Sequence, residues 1–138
     1  MHVQIDLTTQ PIDLLSAVPP EFAGGAGARV EFQGTVRGEE AGLPIAALEY
    51  EVYLPMAERV MRRIVEDLGH RHPCRWVRVT HRVGVVPVGE AAIQVAVTAA
   101  HRAAAFALVT RFMDRLKQDV PIWKRRALAP AELEALRP

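Results

Sequence analysis

Apolar and polar residues alternate along several stretches of this chain. Val3, Ile5 and Leu7 alternate with polar neighbours, which predicts a short half-buried strand. Over 28–36, Val30, Phe32, Gly34 and Val36 share one face, and Arg29, Glu31, Gln33 and Thr35 share the other. Gly34 inside that pattern marks a bulge or the close approach of another backbone. Over 76–83, Val77, Val79, His81 and Val83 fall on one side, and Ile93, Val95 and Val97 centre a strand over 92–99. Residues 45–54 form a less regular strand. Glu49, Tyr50, Glu51 and Tyr53 give it a mixture suited to an interface or a partly covered face.

Elsewhere the period is that of a helix. Pro11 to Val18 predicts a short one, with Thr8 or Thr9 as cap, Pro11 in the first turn and Pro19-Pro20 as its end. Gly24, Gly25 and Gly27 then make a turn region. Pro55 opens a helix whose apolar positions are Met56, Val60, Met61, Ile64, Val65 and Leu68, with Gly69 as the stop. The longest amphipathic stretch starts at His101-Arg102, carries Lys117 near its end and breaks at Pro121. Ile122, Trp123 and Lys124 follow, and Pro130 to Leu136 predicts one or two helical turns. Residues 38–44 read as a polar loop and 84–89 as a turn. The order β-α-β-β-α-β-β-α, without strict alternation, predicts one α+β domain over 1–138. Its sheet is mixed and largely antiparallel, with packed helices.

Composition narrows the function classes. A chain of 138 residues with net charge +1 offers no global field for nucleic acid or an acidic membrane, so any anion site must be local. Cys74 is the one cysteine, which excludes an intrachain disulfide. There is no signal-like start and no long apolar run, so the expectation is a cytoplasmic protein off the membrane. The histidines lack close ligand spacing, and Ser16, the lone serine, stands outside any G-x-S-x-G turn. Metal binding and serine catalysis are therefore not expected.

The remaining candidates are cationic. His101 and Arg102 open a helix directly after a strand, where free N–H groups and the dipole favour phosphate or carboxylate. A plain surface His-Arg pair is the alternative. Lys117 lies in a last helical turn, where a lysine also serves the dipole. Lys124 follows Ile122 and Trp123, and a partly desolvated lysine suits proton transfer or amine chemistry. Arg37 ends the strand over 28–36, and His81 reads as a satisfied core or interface histidine. Lys117 is sixteen residues past His101, about 24 Å along a continuous helix. One small ligand cannot touch both, so the site is either two subsites or is shared between two copies.

Four stretches together resemble a known family, the large, catalytic subunit of molybdopterin synthase. They are VEFQGTVRG (30–38), LEYEVYLPMAERVM (48–61), VTHRVGVVPVGE (79–90) and AAHRAAAFALVTRFMDRLKQDVPIWK (99–124). The resemblance implies an α+β fold of the α/β-hammerhead type and a sulfurtransferase activity. Two sulfurs are added to cyclic pyranopterin monophosphate to form the dithiolene of molybdopterin. The donor it implies is a small ubiquitin-like subunit with a C-terminal Gly-Gly thiocarboxylate, and the assembly is a heterotetramer around a dimer of large subunits. It implies no cofactor, since molybdenum enters later. Lys117 matches the family's principal catalytic lysine and Lys124 its second. Arg37, His101 and Arg102 match residues that bind the phosphate and pterin, and Phe32 and Met113 would line the pocket.

Two places depart from the family pattern. Arg126 stands where an acidic residue is usual, which reverses a charge and is expected to weaken catalysis or docking. The tail ends at Pro138 without the usual tryptophan-containing extension, with Arg137 as a stand-in for a tail arginine. These departures leave a competing reading open, a non-catalytic dimeric scaffold for a ubiquitin-like partner; the residues read without the family leave another, a small anion-binding regulatory dimer.

Overall fold

A computed structural model describes residues 1–14 and 17–137. In chain order the elements are β1 (His2–Thr8), α1 (Pro20–Ala23), β2 (Ala28–Thr35), β3 (Glu39–Glu40), β4 (Leu43–Pro44), β5 (Ala47–Val52), α2 (Met56–Arg71), β6 (Trp76–Arg82), β7 (Gly84–Pro87), β8 (Ala91–Ala99), α3 (Arg102–Asp119), β9 (Ile122–Leu128) and α4 (Pro130–Ala135).

The alternating stretches build the larger sheet, in the order β1-β6-β8-β2. β1 runs parallel to β6, and the other neighbours are antiparallel. The fold is the expected α+β type with a mixed, largely antiparallel sheet. Helices α2 and α3 pack on each other and against this sheet, α2 over β1 and α3 over β2 and β8. Between them lies the main core, with Met61, Ile64, Val65, Val77, Val79, Val95, Val97, Leu108 and Phe112 all buried. The other face of the sheet is buried too but polar, through Thr80, Gln94 and Thr98. There the segment before β2 supplies acceptors: Gln94 Nε2 donates to the Leu14 carbonyl at 3.5 Å and Thr98 Oγ1 to that of Phe22 at 3.4 Å.

A second sheet, β7-β5-β9, sits beside the first around a small core of Val36, Leu48, Val86 and Ala92. Here the local patterns mislead. The turn expected over 84–89 contains β7, because Val85 and Val86 pair with Glu49 and Leu48. Gly84, at φ +84°, takes the chain from one sheet into the other, and Gly89, at φ +87°, makes the turn proper. The polar loop over 38–44 contains the β3–β4 hairpin. The stretch after Pro121 is β9, whose exposed Trp123, Lys124, Arg125 and Arg126 hide its strand period.

Two helix boundaries also move. Helix α2 runs past Gly69 to Arg71, since one glycine costs only about 1 kcal/mol and Leu68 anchors the last turn in the core. Of the helix expected over 11–18, residues 11–14 and 17–18 are not helical, and Leu15 and Ser16 lie outside the described residues. Thr8 Oγ1 accepts from the Gln10 N–H at 3.0 Å and so stabilises a turn instead of a helix. Pro20 begins α1 instead of ending a helix, the N1 role that a missing N–H permits.

Candidate active site

The two sheets and the end of α3 enclose a cavity of about 350 Å³. Each wall comes from a different element. β2 contributes Phe32 and Gly34, with Arg37 just beyond; β3 gives Glu40, β5 Tyr50 and β6 His81. Helix α3 adds Met113, Leu116 and Lys117, and β9 adds Ile122, Trp123 and Lys124. Five residues expected from the sequence thus meet here: Phe32, Arg37, Met113, Lys117 and Lys124. His101 and Arg102 do not. Both are exposed at the start of α3, His101 as its N-cap residue and Arg102 as its first helical residue, about 24 Å of helix from Lys117.

Local structure explains how these side chains converge. The core residues Ala105, Leu108, Val109, Phe112 and Leu116 orient α3, and Lys117 follows them at the exposed end. Gly34, expected to mark a bulge or the close approach of another backbone, marks a bulge, and what approaches it closely is a side chain. The β2–β8 register shifts between Gly34 and Thr35, and a Cβ on Gly34 would sit 2.8 Å from Ile93 Cγ2 in the cavity wall. A second irregularity lies in β9. Tyr50 pairs with Lys124 and Glu49 with Arg126, so Arg125 is an inserted bulge residue. Successive strand residues face opposite ways, so Lys124 shares the cavity face of Tyr50 and Arg126 shares the other face with Glu49.

That bulge settles where Arg126 acts. Its Nε lies 3.0 Å from Glu49 Oε1, so its reversed charge meets a carboxylate across the strand pair and stays out of the cavity. Arg126→Glu, which restores the usual acid, is expected to set two carboxylates opposite each other. The pair is surface-exposed on the arginine side, so the expected loss is about 0.5–1 kcal/mol, read as a lower urea midpoint.

Cations outnumber anions in the cavity. Glu40 is the one carboxylate among the described lining residues, and its Oε1 lies 3.2 Å from Lys124 Nζ. Lys124, expected to be partly desolvated, is instead exposed and ion-paired. Arg37 and Lys117 have no ion-pair partner among the described residues. The lining therefore suits an anionic ligand with an apolar body, the body held by Phe32, Met113, Leu116 and Ile122.

Glu40, Tyr50 and His81 are site residues that sequence reasoning missed. His81 is 5% exposed. It is buried as expected, yet it also lines the cavity. Burial lowers its pKa from the ordinary 6.5, and the hydrogen bond to Arg82 opposes that in part. Burial raises the Tyr50 phenol, and the nearby Glu40 charge adds to the rise. The two rings meet edge to face at 5.4 Å. His81 makes folding pH-dependent with a definite sign. Its folded-state pKa lies below the unfolded one, so the unfolded chain takes up the proton first as pH falls. Its contribution is complete above about pH 6.5 and declines below that. Urea midpoints at pH 7.5 and 5.5 are expected to show this loss, and it is expected to shrink in His81→Asn.

No helix among the described residues is long and apolar enough to cross a membrane. No group of three or more His, Cys, Asp or Glu among them is placed to hold a metal ion.

A family model described as MoaE protein matches residues 7–119. The rat molybdopterin synthase catalytic subunit (Rattus norvegicus) is 48% identical over 130 residues, 87% of this chain and 65% of that protein. The human protein (Homo sapiens) of the same name is 48% identical over 94 residues, 68% of this chain and 50% of that one. The chain thus spans about half to two thirds of the length of these relatives. The crystal structure of molybdopterin synthase from Staphylococcus aureus superposes with a TM-score of 0.78 at 32% identity, covering 86% of this chain and 87% of that one. With a family match across most of its length and mammalian relatives near half identical, this chain belongs to the MoaE protein family.

Proposed function

We propose that this chain is the catalytic subunit of a molybdopterin synthase, a sulfurtransferase of molybdenum cofactor biosynthesis. It moves sulfur from the thiocarboxylated C-terminus of a small ubiquitin-like subunit to cyclic pyranopterin monophosphate and so forms the dithiolene of molybdopterin. The observation that carries this reading is the pair of cations without an ion-pair partner among the described residues, Arg37 and Lys117, on one cavity with Lys124. Phosphate and thiocarboxylate are both anions, and a cavity with this excess of donors suits them. In this reading Lys117 meets the incoming thiocarboxylate and handles proton transfer or transient amine chemistry. Lys124, held by Glu40, is the second catalytic lysine. Phe32 and Met113 line the substrate's path.

His101 and Arg102 enter from a second copy. They sit too far along α3 to reach Lys117 of their own chain, which supports a dimer that shares its sites. The working unit is then one cytoplasmic domain over 1–138, paired as a homodimer within a heterotetramer. The scaffold reading is set aside because it leaves the assembled lysines and arginine without a task.

The test is formation of molybdopterin from the purified chain, the thiocarboxylated small subunit and cyclic pyranopterin monophosphate. Product formation is the expected result, and a wild-type chain that forms none overturns the proposal. A strict monomer at micromolar concentration by sedimentation would remove the shared site and leave the reaction standing.

A further inference from the structure

The cavity has an imbalance that its cations do not explain. Arginine and lysine only donate hydrogen bonds. They hold a phosphate or a carboxylate well, but a pterin ring also carries N–H groups that need acceptors once they leave water. An unmet donor in such a site weakens binding about tenfold or more. Glu40, the one carboxylate among the described lining residues, is already engaged by Lys124.

His81 fills this gap by its geometry. The ring lies in the cavity wall, and Nδ1 is 2.7 Å from the Arg82 carbonyl oxygen. A carbonyl only accepts, so Nδ1 carries the hydrogen and the neutral ring keeps its lone pair on Nε2. Nε2 has no hydrogen-bond partner among the described residues. The ring is held by two contacts: Tyr50 packs edge to face against it at 5.4 Å, and the Arg82 carbonyl anchors Nδ1. Burial, which disfavours the imidazolium, supports the same neutral form.

The geometry points to His81 as a substrate-positioning residue whose Nε2 accepts a hydrogen bond from an N–H of the pterin ring. This rests on the proposed synthase reading and assigns a residue to hold the ring within it. The cations take the phosphate, and the neutral imidazole orients the heterocycle beside them.

Two substitutions separate acceptor from donor. His81→Asn keeps an amide N–H at the position of Nδ1, facing the Arg82 carbonyl, but does not extend to Nε2. His81→Gln places its carbonyl oxygen near Nε2 and gives up the Nδ1 bond. Both are assayed in complex with the thiocarboxylated small subunit, with thermal melts alongside. His81→Asn is expected to raise KM for cyclic pyranopterin monophosphate about tenfold or more. Its KM for the small subunit and its Tm are expected to stay near wild type. His81→Gln is expected to keep KM for the pterin near the wild-type value. A folded His81→Asn with unchanged pterin KM overturns the inference, and so does a folded His81→Gln with KM raised tenfold. If His81→Asn does not fold, His81→Gln alone decides on the same criterion. The two proposals fail separately. An active wild type with normal His81→Asn sinks only the role of His81, whereas an inactive wild type sinks the synthase reading and this inference with it.

Discussion

Lys117→Ala is expected to cut molybdopterin formation at least about a hundredfold, the scale of a lost proton-transfer or charge-stabilising group. The same variant is expected to melt at the wild-type temperature. Lys117 is exposed in the last turn of α3 and has no ion-pair partner among the described residues, so its removal opens no void in the core and strands no buried charge. Its one structural service is to complement the helix dipole, about 0.3–1 kcal/mol at an exposed site. Activity and stability should therefore separate cleanly. Full activity in Lys117→Ala would move the catalytic role elsewhere in the cavity, with Lys124 the first place to look. Lys117→Arg gives a finer reading. It keeps the charge but removes an amine able to form a covalent adduct or give up its proton, so low activity there favours those roles over simple charge stabilisation.

Phe112→Ala is expected to have the largest effect on stability. Phe112 lies one helical turn before Leu116 on α3, and both face the core. The ring is fully buried among residues of α2, α3 and the larger sheet. Truncating a buried phenylalanine loses its transfer energy and leaves a cavity, together about 3–5 kcal/mol. Total stability of a domain this size is about 5–15 kcal/mol, so a large share is lost. The expected result is a fall in Tm of about 10 °C or more. Activity should fall only as far as the folded fraction does, unless α3 shifts and carries Met113 and Lys117 with it. A Tm within about 2 °C of wild type would mean that the cavity collapses without cost, contrary to the packing seen around this ring.

The parts of the fold legible in the sequence are those whose signal is local. β1, β2, β6 and β8 each alternate, because one face meets a core and the other a different environment. Helices α2 and α3 show their apolar stripe for the same reason. β9 escapes because its neighbours, not its own pattern, make it a strand: between Ile122 and Leu128 its side chains are mostly exposed, and its pairing with β5 is non-local. β7 escapes because the glycines that flank it, Gly84 and Gly89, imitate a turn.

The site divides along the same line. Residue types and the family resemblance point to Phe32, Arg37, Met113, Lys117 and Lys124, and all five line one cavity. Glu40, Tyr50 and His81 carry no such local signal. Glu40 lies in a polar loop pattern, Tyr50 in an irregular strand, and His81 on a face that reads as core. Each becomes a site residue only when β3, β5 and β6 are brought to the end of α3.

By itself, then, the chain's order of apolar and polar residues determined the α+β class, the long helix with His101 and Arg102 at one end and Lys117 at the other, and the distance that keeps those ends apart. Periodicity and helical rise are local properties, so they can be read without a partner. Only the tertiary structure decided that Lys124 is held by Glu40, that a bulge at Arg125 turns Arg126 away to Glu49, and that His81 lines the same cavity as the cations with a nitrogen unpaired among the described residues. Those facts depend on strand register and on which sheets meet. Register is set by packing between segments far apart in sequence, and no window along the chain contains it.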